Sequence, residues 1–248
     1  GGRLSGWHPV DLAAEIINEL VERTNADPAL IDDVIMGCVQ QIGEQSVNIG
    51  RNAVLASKLP NSVPGTSVDR QCGSSQQALH FAAQAVMSGT MDCVIAAGVE
   101  SMSRIPMTAP GPVALKAGLG QYMSPQIQEN FGVTEFTQFL GAEMVAEKYN
   151  ISRDAMDKYA YETTLKSIAA INAGHFNDEI LPLQTRIKDV PVSDEIHSID
   201  EGVRFNASLE AISGLNVLQE GGRITAGTAS QICDGASGVM VVNAAGLK

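Results

Sequence analysis

The run Asp92-Cys93-Val94-Ile95-Ala96-Ala97-Gly98 is apolar without alternation, so a strand built from it buries both of its faces. Val34-Ile35-Met36-Gly37-Cys38-Val39 has the same character, inside a strand predicted over Asp33–Val39. Strands of this kind lie inside sheets covered by helices on both sides, and the segments around them are helical. Pro9–Arg23 places Val10, Ala13, Ile16, Ile17, Leu20 and Val21 on one face, with Asp11, Glu15, Asn18 and Glu22 off it. Proline at its start is tolerated in a first helical turn. Asp27-Pro28 opens a short helical turn, and Val47–Lys58 and Gln76–Ser88 read as further helices. Pro64-Gly65-Thr66-Ser67-Val68 reads as a turn feeding a strand. The alternation predicts an α/β layered fold with a mostly parallel sheet.

The pattern changes after about Ser103. Ile105–Pro112 holds three prolines and a glycine, a breaker-rich boundary. Beyond it lie a helix around Glu135–Tyr149 and a longer one that Ser152 caps and that ends near Asn172, with Gly174 as a C-terminal stop. Ile180–Ile187 reads as a strand and Ser208–Ile212 as a helical turn. Strand character of the first kind returns only at Ser237–Asn243. One α/β domain interrupted by a long, helix-containing insertion accounts for this order.

A net charge of −12 over 248 residues argues against a nucleic-acid partner, which demands clustered Lys and Arg. It leaves room for an anionic small molecule on a local basic patch. Cys38, Cys72, Cys93 and Cys233 show no paired spacing of a zinc or redox motif, so no metal site is expected. Four thiols spaced in this way fit a reducing, cytoplasmic setting. No signal peptide is evident, and no apolar run is long enough to span a bilayer, so no membrane partner is expected.

Cys72 stands apart from the other thiols. It falls in Val68-Asp69-Arg70-Gln71-Cys72-Gly73-Ser74-Ser75-Gln76-Gln77-Ala78, at a predicted strand-to-helix turn. Free backbone N–H groups and the helix dipole favour an anion there, and so a thiolate nucleophile. Gly73, Ser74 and Ser75 are small enough to let a substrate carbonyl approach the backbone. The competing reading is a small buried hydrophobe, the usual fate of a free cysteine.

Four stretches together resemble the N-terminal part of the thiolases, the acyl-CoA:acetyl-CoA C-acyltransferases. They are Gly43-Glu44-Gln45 with Asn48-Ile49-Gly50-Arg51; Val68–Ala78; Ala96–Ser103; and Thr225–Ala236. The resemblance implies a thiolase-like layered α-β-α fold, with residues 1–103 as its first part, 104–230 as an inserted CoA-binding loop domain, and 231–248 as a returning strand. It implies that Cys72 carries the acyl group as a thioester in 3-ketoacyl-CoA thiolysis or the reverse condensation, as in fatty acid β-oxidation. It implies that Arg204 contacts the adenine end of CoA, that Ser230 bonds the pantetheine arm, and that Ala226 lies along the same path. Taken alone, Arg204 reads as a solvated surface charge and Ser230 as a cap or turn residue. The resemblance implies acyl-CoA and CoA as substrates, no permanently bound cofactor, and a homodimer or homotetramer.

The chain departs from the family pattern in two ways. The family's second half, with its Asn-Glu-Ala-Phe-type and Gly-His-Pro motifs and second catalytic cysteine, is not in this sequence, so turnover by these residues alone is not expected. His80 does not substitute: eight residues down the helix it lies ~12 Å from Cys72. His8, His175 and His197 fall in other segments. Thr137–Glu143 also differs from the common Met-Gly-x-Thr pattern, so acyl preference does not carry over; the variant is similar to thiolases for bulky or longer chains. Two other readings remain open: a ketoacyl-synthase-type condensing enzyme, and a CoA- or acyl-binding module without turnover.

Overall fold

A computed structural model describes residues 2–247 of the chain. They divide into two compact units, the first formed by Gly1–Leu119, Leu181–His197 and Cys233–Lys248, the second by Gly120–Ile180 and Ser198–Ile232.

The first unit is built on the sheet that the apolar runs predict. β1 (Asp33–Gly37) pairs in parallel with β2 (Gly65–Val68) on one side and β3 (Cys93–Ser101) on the other. β6 (Asp234–Val242) closes the order β2-β1-β3-β6 and runs antiparallel to β3, from Cys93 opposite Val242 to Ser101 opposite Asp234. Two helices, α1 (Pro9–Thr24) and α2 (Ile49–Ala56), cover one face, where Ala13 and Ile17 meet Val34, Met36, Ile49, Ala53, Val54, Ile95 and Ala97. On the other face α3 (Ser74–Met87) lays Ala78, Ala82 and Val86 against Ile35, Val94 and Ala96. Adjacent residues of β1 and β3 thus point to opposite cores, which is why neither strand alternates polar and apolar. The result is a three-layer α-β-α unit. Each large side chain sealed in it, such as Ile17 or Ile95, contributes ~1.5–3 kcal/mol.

Local signals set the helix ends. The His8 imidazole Nδ1 accepts from Val10 N ahead of Pro9, and Asn25 ends α1 in the left-handed region. Asp27 caps the short 3-10 turn Pro28–Leu30. A hairpin of β4 (Leu183–Ile187) and β5 (Val190–His197) also belongs to the first unit. It is pinned to the N-terminal segment: Trp7 Nε1 donates to the Gln184 carbonyl, Arg186 lies 3.4 Å over the Trp7 ring, and Asp189 N donates to Gly6 O. Only the first of these strands is expected from the sequence; β5, carrying Pro191, Asp194 and Glu195, is too polar to announce itself. The breaker-rich Ile105–Pro112 likewise contains the start of a helix, α4 (Pro110–Lys116), because proline is accommodated at a first helical position.

The second unit is helical: α5 (Pro125–Phe131), α6 (Gln138–Lys148), α7 (Arg153–Asn172) and α8 (Leu209–Ser213). Ser152 caps α7 through Ala155 N and Ser208 caps α8 through Ala211 N, as their positions predict. Gly174, at φ +75°, terminates α7. Asp157, 1% exposed, holds the Arg153 guanidinium, which also donates to the Ser213 and Leu215 carbonyls and so ties α8 to α7. Among the described residues no helix is long and apolar enough to cross a membrane.

Candidate active site

Cys72 lies in the turn between β2 and α3, and its side chain is exposed. The buried-hydrophobe reading therefore does not apply to it. It does apply to Cys38 and Cys93, which are buried in the core. Burial, reinforced by Glu100 and Asp69, pushes the Cys38 thiol up to about 12, and burial raises that of Cys93 as well.

The turn is held by its own side chains. Gln71, immediately before Cys72, adopts φ +47°, a left-handed conformation that costs a non-glycine residue ~1–3 kcal/mol. Asp69 Oδ1 accepts from Gln71 N at 2.7 Å. Ser74 Oγ accepts from Arg70 N at 3.0 Å and donates to Gln71 O at 2.6 Å. No side chain caps the first turn of α3; Gly73 N and Ser74 N donate back to the Arg70 and Gln71 carbonyls, which closes the turn onto the helix start.

Two glycines let this helix start sit directly on the sheet. A Cβ on Gly37, at the end of β1, would lie 2.4 Å from Ser75 N, and one on Gly98 of β3 would lie 2.0 Å from Ser75 Oγ. Gly50 plays the same part behind β2, where a Cβ would stand 2.3 Å from the Thr66 carbonyl oxygen.

The sequence stretches singled out above interlock around this end of the sheet. Asn48 caps α2 through Arg51 N, donates to Gly65 O and accepts from Ser67 Oγ. Arg51 donates to the Val63 and Asn61 carbonyls, so the segment leading into β2 is clamped along its length. Glu100, past the middle of β3, accepts from Val39 N, Gln40 N and Gln45 Nε2. Gln45 is fully buried and accepts from Ser101 N. Asp234, the first residue of β6, accepts from Ser103 N and Ser101 Oγ. Arg104 forks onto Glu44, holding its carboxyl below the usual range, and also reaches Asp189. Periodicity gives no sign of Gln45, Glu100 or Ser74; only their place inside the quoted stretches marks them.

Arg204, Ala226 and Ser230 all fall in the second unit, and all three are exposed. Thr225-Ala226-Gly227-Thr228 forms a tight turn: Thr225 is fully buried, its N donates to Thr228 Oγ1, and its carbonyl accepts from Thr228 N and Ala229 N. Ala226 stands at the surface of that turn. Gln231, next to Ser230, donates to Gly202 O, which links the Ser230 stretch to the one carrying Arg204. In the same unit Phe131, Phe136, Leu140 and Met144 line an open apolar groove of about 460 Å³. His80 is exposed on α3, His8 caps α1, His175 lies in the turn after α7 and His197 ends β5. Among the described residues no group of His, Cys, Asp or Glu is placed to hold a metal ion.

Comparison with known proteins gives this arrangement a context. The signature of the thiolase N-terminal domain matches residues 1–245. The chain is 47% identical to the steroid 3-ketoacyl-CoA thiolase FadA6 of Mycobacterium tuberculosis, over 100% of this chain and 60% of that protein. It is 37% identical to the beta-ketoadipyl-CoA thiolase of Escherichia coli, over 98% of this chain and 62% of the other. A crystal structure of the Bacillus anthracis acetyl-CoA acetyltransferase superposes with a TM-score of 0.81 at 31% identity, covering 97% of this chain and 60% of that one. The chain thus spans about three fifths of the length of these relatives. The chain belongs to the thiolase family, through that family's N-terminal domain.

Proposed function

We propose that the protein carrying this chain is an acyl-CoA:acetyl-CoA C-acyltransferase, with Cys72 as the residue that holds the acyl group. The observation that carries the reading is the exposed thiol in a rigid turn at the uncapped start of α3. In the cleavage direction the Cys72 thiolate attacks the 3-keto carbon of a 3-ketoacyl-CoA. The bond between C2 and C3 breaks, leaving the acyl group as a thioester and the acetyl-CoA fragment as a carbanion that takes up a proton. CoA thiol then attacks the thioester, releasing the shortened acyl-CoA and restoring Cys72. Backbone N–H groups at the turn stabilise the oxyanion formed at each attack.

Arg204, Ala226 and Ser230 are proposed to line the CoA path, Arg204 at the adenine end and Ser230 on the pantetheine arm. Their exposure and the link from Gln231 to Gly202 support this. His80, ~12 Å down α3 from Cys72, is too far to serve as its base. A bulky acyl group, as the name of the Mycobacterium tuberculosis relative indicates for that protein, fits the apolar groove of the second unit. A homodimer or homotetramer in the cytoplasm completes the proposal.

The test is thiolysis of a 3-ketoacyl-CoA by the protein carrying this chain and by its Cys72→Ser variant. Loss of activity in the variant is expected; full activity would sink the assignment. Turnover with acyl carrier protein substrates and not with CoA esters would favour a condensing enzyme. A second reading, a module that binds CoA without turnover, is supported by the exposed Arg204, Ala226 and Ser230. Calorimetric CoA binding without acyl transfer is its mark.

A further inference from the structure

We propose that Ser74 is a positioning residue for Cys72, a proposal that rests on the reading of Cys72 as nucleophile. Ser74 is 4% exposed, so it does not reach substrate; whatever it does, it does through the turn. Its hydroxyl is used twice, accepting from Arg70 N at 3.0 Å and donating to Gln71 O at 2.6 Å. These two peptide groups bracket the left-handed Gln71 and lead straight into Cys72. Asp69 adds the third restraint, on Gln71 N. Ser74 also begins α3, and the next residue is wedged against Gly37 and Gly98. One buried hydroxyl therefore joins the left-handed segment before Cys72 to the start of α3.

Without that hydroxyl, Arg70 N loses its acceptor and the Gln71 carbonyl keeps only the Ser74 N–H, so the unfavourable conformation of Gln71 is left to Asp69 and one backbone bond. Cys72, which follows directly, then samples a wider range of orientations. Near-attack geometry is lost while substrate binding is retained. A serine that served packing alone would behave otherwise: its removal would lower the folded fraction and leave each folded molecule reacting normally.

The experiment is time-resolved mass spectrometry of Cys72 acylation by a saturating 3-ketoacyl-CoA, in the protein carrying this chain. Ser74→Ala is expected to slow acylation at least ~10-fold, with KM within about twofold and with the acylatable fraction of Cys72 unchanged, in line with effects of small misplacements. Ser74→Thr, which keeps the hydroxyl, is expected to recover most of the rate. Acylation of Ser74→Ala at the wild-type rate overturns the proposal, as does a reduced acylatable fraction that reacts at the wild-type rate. Should Ser74→Ala fail to fold, Asp69→Ala decides: slower acylation at unchanged KM supports the clamp, and a wild-type rate overturns it. No acylation of Cys72 in the unaltered protein refutes the underlying assignment instead, so the two failures are distinguishable.

Discussion

Substituting alanine for Gly37 tests whether the sheet sets the position of the nucleophile. The added Cβ would stand 2.4 Å from Ser75 N, 2.5 Å from Ser74 C and 2.7 Å from Ser75 Cα, all backbone atoms that no rotamer change can remove. Ordinary contact begins near 3.4 Å, so the first turn of α3 must retreat by about 1 Å. Overpacking of this kind costs ~1–3 kcal/mol. For a chain of this size that is a fall in Tm of about 2–12 °C. The retreat carries Cys72 with it, and a displacement near 1 Å at a reacting group costs ~100-fold in rate. Calorimetry gives the first quantity and quenched-flow acylation of Cys72 the second. A Gly37→Ala protein with unchanged Tm and unchanged acylation would refute the close seating of α3 on β1. Gly141→Ala in α6 is the contrast: its Cβ meets nothing within 4 Å, and replacing an exposed helical glycine is expected to stabilise by up to ~1 kcal/mol.

Other outcomes follow from the same geometry. Arg51→Ala removes two charge-assisted bonds to the Asn61 and Val63 carbonyls and is expected to cost ~1.5–3 kcal/mol, read by urea unfolding, with faster proteolysis between residues 60 and 64. Ser152→Ala removes the cap of α7 and should cost ~1 kcal/mol, seen as reduced hydrogen-exchange protection in the first turns of that helix. The buried Cys38 thiol, at about 12, keeps its proton in the folded state after the unfolded chain has lost it. The unfolded state therefore binds fewer protons above pH ~8.5, and stability declines from there toward pH 12 in urea titrations; a Cys38→Ala background should lose that slope. Glu44 is shifted the opposite way by Arg104, so its contribution is present above the unfolded value of 4.5 and is lost as pH falls below it. Glu44→Gln is expected to flatten that acid limb.

The parts of the fold legible in the sequence are those where one local signal suffices. Unbroken apolar runs locate β1 and β3, and serines at positions 152 and 208 mark the starts of α7 and α8. Elements whose stability comes from one neighbour escape such reading. β5 is polar along much of its length and exists by pairing with β4, and α4 begins inside a segment whose prolines signal a break. The same division holds at the candidate site. A strand, a thiol and a helix in succession are enough to place Cys72 in its turn. The buried bonds of Gln45, Glu100, Ser101 and Asp234 join residues up to 133 positions apart, and no periodicity encodes such partnerships. The left-handed Gln71 is equally silent, since glutamine carries no preference for that conformation.

Peptide mapping of the acyl-enzyme tests the central claim most directly. The protein carrying this chain is mixed with a 3-ketoacyl-CoA, quenched in acid before CoA thiolysis completes, digested and sequenced by tandem mass spectrometry. The account predicts an acyl adduct on Cys72 and none on Cys38, Cys93 or Cys233. An acyl group on another residue, or turnover with Cys72 never modified at any time point, would contradict it.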